Sequence, residues 1–262
     1  MAKITEGIIK EFQNKRIVHR REIVSFLKSE SKTTTAIDWL LKSGKALFIK
    51  KGLYYLKKTD EWFRDYIEVN PLILAGYIHP KGVVGYHASL KCLGKAYSES
   101  TVFQVALDKS VPRVCKPFEF QNARYEFYRT NLSFGIVVSV IDDVKVRHFS
   151  KERIILEGLM FPDRFLGLSE FLQSIENITW INPDKVLSML NNYPLKTVSM
   201  RLGWLLERQK SYWHIDEGIL KKLEKNKPES NILLNKKKTK YNYLVKRWKL
   251  MVPKTINELN EY

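Results

Sequence analysis

Two cysteines, Cys92 and Cys115, are all that the 262 residues contain, too few for a disulfide framework or a thiolate metal site. A reducing, cytoplasmic compartment is therefore expected. Long apolar runs are missing too: the longest uncharged stretches, VNPLILAGYIHP at 69–80 and NLSFGIVVSVI at 131–141, are too short to span a bilayer and are interrupted by Pro, Gly or Asn. No membrane partner is expected. The opening MAKITEGIIKEF carries acids within its apolar pattern and no continuous apolar stretch, so export is not expected either. The sequence holds no G-x-x-x-x-G-K-[ST], no H-E-x-x-H, no G-x-S-x-G, and no D-x-D pair of the kind that holds two metal ions for nucleotidyl transfer. His19, His79, His87, His148 and His214 are scattered without ligand spacing. Ser89 beside His87 lacks a third partner for a triad, and His87 is expected to face solvent or cap a helix. Neither a cofactor nor an enzymatic activity is expected.

Positive charge is what the chain has in excess, +17 overall. Residues 1–58 carry 14 Lys/Arg against 5 Asp/Glu, residues 59–207 carry 17 against 17, and residues 208–262 carry 14 against 6. The surplus lies at the two ends, +9 and +8 around a neutral centre. Basic ends of this kind suit a polyanion partner. At 44% hydrophobic and 12% aromatic, 262 residues can bury a sizeable core, and two domains are expected.

Ile4, Ile8, Ile9 and Phe12 recur at helical spacing, as do Ile23, Val24 and Leu27. A third helix is expected to open at Ser31 as N-cap, to place Ala36, Ile37, Leu40 and Leu41 on one stripe, and to stop at Gly44. Its opposite face carries Lys32, Thr35, Asp38 and Lys42, flanked by Thr34 and Trp39. The short runs LFI (47–49) and LYYL (53–56) follow, joined by Lys50, Lys51 and Gly52, a tight-turn sequence. Three short helices and a hairpin are the order of a winged helix-turn-helix, in which the third helix enters the major groove of double-stranded DNA and the wing meets the backbone. Lys32, Thr34, Thr35, Asp38, Trp39 and Lys42 are then the candidate groove contacts, and Lys50 and Lys51 the candidate phosphate contacts. Three consecutive threonines are poor helix formers, which suggests that their hydroxyls are kept for contact.

Residues 59–80 read as a helical connection, with WFRDYI and PLILAGYI at helical period and Pro71 near a helix start. Strand-like runs follow at 102–107, 117–121, 125–129, 135–141 and 144–149, and then the helical segments KERIILEGLM after Ser150, LSEFLQSI, PDKVLSML and VSMRLGWLLERQ. The expected fold class is α+β, with a winged-helix domain over 1–58, the connection over 59–80 and an α+β domain over 81–262.

KKGLYYL (50–56), GYHASLKCLG (85–94), FSKERIILEGL (149–159) and VSMRLGWLLE (198–207), in that order, resemble the AbiEi-type antitoxins, the transcriptional regulators of abortive-infection, type IV toxin-antitoxin operons. The resemblance covers most of residues 1 to about 210. It implies a repressor that binds repeats in its own promoter through the winged helix, and a C-terminal domain that neutralises a nucleotidyltransferase-like toxin without necessarily forming a stable complex. Arg153, Arg201 and Glu207 match family positions, and ion pairing at helix ends is the role expected for them. One winged helix reads only a short site, so a repeat calls for a dimer or cooperative binding.

Two other readings come from the residues. The basic C-terminal segment, with Lys236, Lys237, Lys238, Lys240, Lys246 and Arg247 as a backbone track and Tyr241, Tyr243 and Trp248 as stacking platforms, suits RNA, although packing of a strand onto the core is the better reading of the same aromatics. Asp108 together with Asp143-Val144-Lys145 suits a metal-dependent nuclease, although SVIDDVKV reads more simply as a hairpin turning at Asp142-Asp143.

Overall fold

The computed structural model describes residues 2–112, 115–235 and 242–256. The chain is mixed α+β and divides into two compact units: one holds residues up to Gly85 with Thr101–Leu132 and Val138–His148, the other Tyr86–Ser100, Ser133–Val137 and the chain from Phe149 onward.

In the first unit the apolar spacing produces α1 (Ala2–Phe12), α2 (Arg20–Leu27) and α3 (Glu30–Lys42). Ser29, not Ser31, caps α3; its extended backbone (φ −158°) lets the hydroxyl accept from the Lys32 N–H at 3.3 Å. The helix starts early because α2 ends at Lys28 in the left-handed conformation (φ 50°), which reverses the chain within two residues. Gly44 (φ +70°) closes α3, and β2 (Ala46–Lys50) and β3 (Leu53–Leu56) meet across a turn whose Gly52 takes φ +77°. A strand that the periodicity does not reveal, β1 (Ile17–His19), pairs with β3 to complete a three-stranded sheet in the order β1-β3-β2. Ile8, Val18, Ile23, Ala36, Ile37, Leu40, Tyr54 and Leu56 fill the core between these helices and strands.

Beyond the hairpin, WFRDYI is not helical. A single 3₁₀ turn (Thr59–Glu61) precedes a segment without regular structure, because Phe63 and Tyr66 are 93% and 67% exposed and offer no stripe to bury. Gln121 instead holds that segment, donating to the Ile67 carbonyl at 2.8 Å and accepting from the Val69 N–H at 3.0 Å. Asn70 then caps α4 (Pro71–Tyr77), with Pro71 at its first position. A six-stranded sheet of β4 (Gly82–Val84), β5 (Val102–Asp108), β6 (Phe118–Phe120), β7 (Ala123–Thr130), β8 (Ile136–Ile141) and β9 (Val144–Phe149) runs in the order β6-β7-β5-β4-β9-β8. Its long parallel pairing joins β5 to β7, from Val102↔Arg124 to Asp108↔Thr130. Asp142 and Asp143, both at positive φ, form the tight turn between β8 and β9.

The second unit contains α5 (Tyr86–Cys92), α6 (Lys151–Met160), α7 (Leu168–Glu176), α8 (Pro183–Met189), α9 (Leu195–Arg208), α10 (Glu217–Glu224) and a small sheet of β10 (Ile232–Leu233), β11 (Asn242–Val245) and β12 (Leu250–Pro253). α6 is buried from Glu152 to Leu159 and carries a fully buried Arg153, whose guanidinium lies 3.9 Å from the Phe149 ring centre and 4.4 Å from that of Phe134. That charge is neutralised by Glu157 at 3.0 Å, and the Phe134 carbonyl accepts a hydrogen bond from it at 2.7 Å. Arg201 on α9 donates to the Leu159 carbonyl at 2.6 Å and the Leu233 carbonyl at 2.7 Å, tying the end of α6 to β10. Glu207 receives the Trp248 indole N–H at 2.6 Å and Arg247 at 2.6 Å.

Gly203 admits the Trp248 ring to the surface of α9: a methyl group there would stand 2.1 Å from it. Trp248 is fully buried, and its indole N–H is held by Glu207. Gly203→Ala is therefore expected to destabilise the fold by about 1–3 kcal/mol despite the better helix propensity of alanine, read as a lower urea midpoint with unchanged slope. An unchanged midpoint would disprove the close approach.

Candidate nucleic-acid interface

Once Ala36, Ile37 and Leu40 face the core, the 3.6-residue period leaves Lys32, Thr34, Thr35, Asp38 and Lys42 exposed along the other side of α3. Thr33 faces inward and is fully buried. The threonine hydroxyls all bond within their own helix: Thr33, Thr34 and Thr35 donate to the carbonyls of Ser29, Glu30 and Ser31 at 2.8, 3.0 and 3.1 Å. These bonds use the hydroxyl protons within the helix and leave the exposed hydroxyls as acceptors.

The remaining candidates are dispersed by their neighbours. Asp38 and Lys42 pair at 2.8 Å, a helical i,i+4 bridge in the open. Thr34 accepts a second bond from Arg20 at 2.8 Å, and Arg20 also pairs with Glu30 at 2.7 Å. Trp39 is half-buried and faces Lys45, whose ammonium lies 5.0 Å from the Trp39 ring centre and 4.1 Å from that of Trp62. At the hairpin tip the two lysines part company. Lys51 is exposed, while Lys50 turns its ammonium to 4.7 Å from the Phe118 ring and has its pKa lowered by desolvation.

No family model matches the chain, and no curated protein matches it. Among solved structures it is similar to the crystal structure of the RV2827C protein from Mycobacterium tuberculosis. The TM-score is 0.61 at 9% sequence identity, covering 95% of this chain and 91% of that one. At that identity the likeness concerns the fold alone.

Lys236, Lys237, Lys238, Lys240 and Tyr241 lie outside the described residues. Arg247 is not a free cation: Glu207, Glu217 and Glu224 all engage it, and Lys210 together with Arg247 holds Glu217 down to about 2. Trp248, being buried, presents no stacking face. Lys246 is exposed. Asp108 accepts the Ser110 N–H at 2.9 Å as a turn cap, and among the described residues no three His, Cys, Asp or Glu side chains converge on a metal position. His87 is buried rather than solvent-facing: its Nε2 lies 3.3 Å from Glu170 on α7, a carboxylate that also receives the Ser98 N–H and the Ser98 and Ser174 hydroxyls.

Removing the cap of α3 tests how the exposed row is held. Ser29→Ala is expected to cost about 1 kcal/mol of stability. Amide exchange should accelerate in the first turn of α3, and uniform protection throughout the helix would contradict the assigned cap.

Proposed function

We propose that residues 1–58 act as a winged helix that binds double-stranded DNA, and that the protein is an autorepressor and the antitoxin of a toxin-antitoxin operon. The observation that carries the DNA reading is one exposed polar row, Lys32, Thr35, Asp38 and Lys42 on α3, in the same unit as a β-hairpin tipped by the exposed Lys51 and by Gly52. A helix with a free polar face and a short basic hairpin suit a major groove and its flanking backbone. The +9 surplus of residues 1–58 supplies the sequence-independent attraction.

Roles follow from what each side chain has left to offer. Lys32 and Lys51, exposed and with no ion pair among the described residues, are the phosphate contacts. Thr35, its proton given to Ser31, is an acceptor for the exocyclic amino group of adenine or cytosine. Asp38, once released from Lys42, accepts from cytosine. The antitoxin reading rests on the four motifs that resemble AbiEi-type antitoxins, and implies a nucleotidyltransferase-like toxin as functional partner. A repeated operator is met by a dimer or by cooperative binding.

The test is binding to the chain's own upstream region against scrambled duplex of equal length, titrated over salt. A preference of roughly a thousandfold is expected of a specific binder; equal, salt-sensitive binding to both would reduce the N-terminal unit to a general polyanion binder and sink the repressor reading. Lys51→Ala should lower the log-log salt slope by about 0.9 for every duplex, whereas Lys50→Ala should change it less because Lys50 lies on Phe118. Thr35→Ala should alter which sequence is preferred while leaving the slope alone. A loss of slope without loss of preference would move base reading away from α3.

A further inference from the structure

A cleft of about 420 Å³ opens in the first unit between the start of α2, the turn at Gly52 and the segment Ile78-His79-Pro80. Its charged and titratable lining is His19, Arg20, Arg21, Glu30 and His79. Glu30 is already paired with Arg20. The nearby Glu22 is taken by Lys15 at one oxygen and by the His19 N–H at the other. His19 gives its Nε2 to the Tyr77 carbonyl at 2.9 Å. What remains is Arg21, whose guanidinium has no hydrogen bond or ion pair among the described residues, and His79.

The His79 ring accepts the Lys81 N–H at Nδ1, 3.1 Å away, so the neutral ring carries its proton on Nε2 and has it to donate. Burial lowers the pKa of the His79 ring, and Arg21, Lys50 and Lys81, acting on it as like charges, lower it further. Glu30 is committed to Arg20, so it does not answer the positive charge that Arg21, Lys50 and Lys81 bring to bear on His79, and an anion placed beside Arg21 and His79 lowers that repulsion. The volume suits a phosphate with its sugar.

We propose that this cleft binds a phosphate group, with Arg21 and the Nε2–H of His79 as its donors. Phosphate chemistry is common to a nucleic-acid backbone and to a free nucleotide, and neither donor belongs to the base-reading row on α3, so the inference does not depend on a sequence-specific operator. Binding is linked to protons. A phosphate facing His79 favours the imidazolium, so affinity rises as pH falls from the raised pKa of the complex towards the lowered pKa of the free ring, by about tenfold for each unit that separates them.

The experiment is an NMR titration of the histidine ring signals of the full chain with pH, alone and with inorganic phosphate, a nucleoside 5′-monophosphate, or a short duplex of scrambled sequence. The His79 pKa is expected to rise. A rise with inorganic phosphate and the mononucleotide identifies a free-phosphate site, a rise with the duplex alone identifies a backbone phosphate, and no rise with any of the three overturns the proposal. Arg21→Gln, at an exposed position whose side chain makes no hydrogen bond or ion pair among the described residues, should abolish or halve the shift; a full shift in that variant would equally overturn the assignment. His79→Gln should remove the pH dependence of duplex binding while circular dichroism stays native. If the upstream region is not preferred over scrambled duplex and the His79 response survives, the repressor reading fails and this one stands.

Discussion

Burial of one stripe of α3 governs everything the N-terminal unit offers to solvent. Ala36, Ile37 and Leu40 go into a core shared with Ile8, Ile23 and Leu56, and at roughly 25 cal/mol per Å² of apolar surface no competing rotation of the helix recovers that burial. The period of the helix then dictates that Lys32, Thr35, Asp38 and Lys42 face outward and Thr33 inward. The chain reversals on either side of α3 are secured by residues in the left-handed conformation, Lys28 and Gly44, so the helix ends are as constrained as its face.

In the second unit several cations serve a different purpose. Arg153 and Arg201 are buried, and their donors are matched by the Phe134, Leu159 and Leu233 carbonyls and by Glu157. Removing a partner from such a group would leave a desolvated charge, so these side chains act as ties between elements. Gly203 and Gly158 work with them by letting Trp248 and Phe171 approach the helices closely. Arg247, in a segment that by composition alone suggests a nucleic-acid track, belongs to the same system through Glu207, Glu217 and Glu224. A formal charge in the sequence is thus not a charge available to a partner.

Helices and strands with a clear period were legible: the apolar stripe of α3 and its closing glycine, though not its cap at Ser29, the hairpin, β5, β7, β8 and β9, and the helix after Ser150 lie where periodicity places them. Short elements were not. β1 and β4 have three residues each, too few to show alternation, and exist because β3 and β5 supply their partners. WFRDYI shows a helical period yet forms no helix, since a period stabilises a helix only where something covers the apolar stripe.

The exposed row on α3 was readable in the same way, whereas the fates of Trp39, Lys50, Arg247 and Trp248 and the convergence of Arg21, His79 and Lys81 were not. The sequence by itself determined the local order of elements, the inward and outward faces of the longer ones, and the clustering of positive charge at the two ends. Tertiary structure alone decided which charges are free. Whether a lysine meets a ring, an arginine a carboxylate, or a histidine a group of cations depends on residues tens of positions away, and no local spacing encodes such distances.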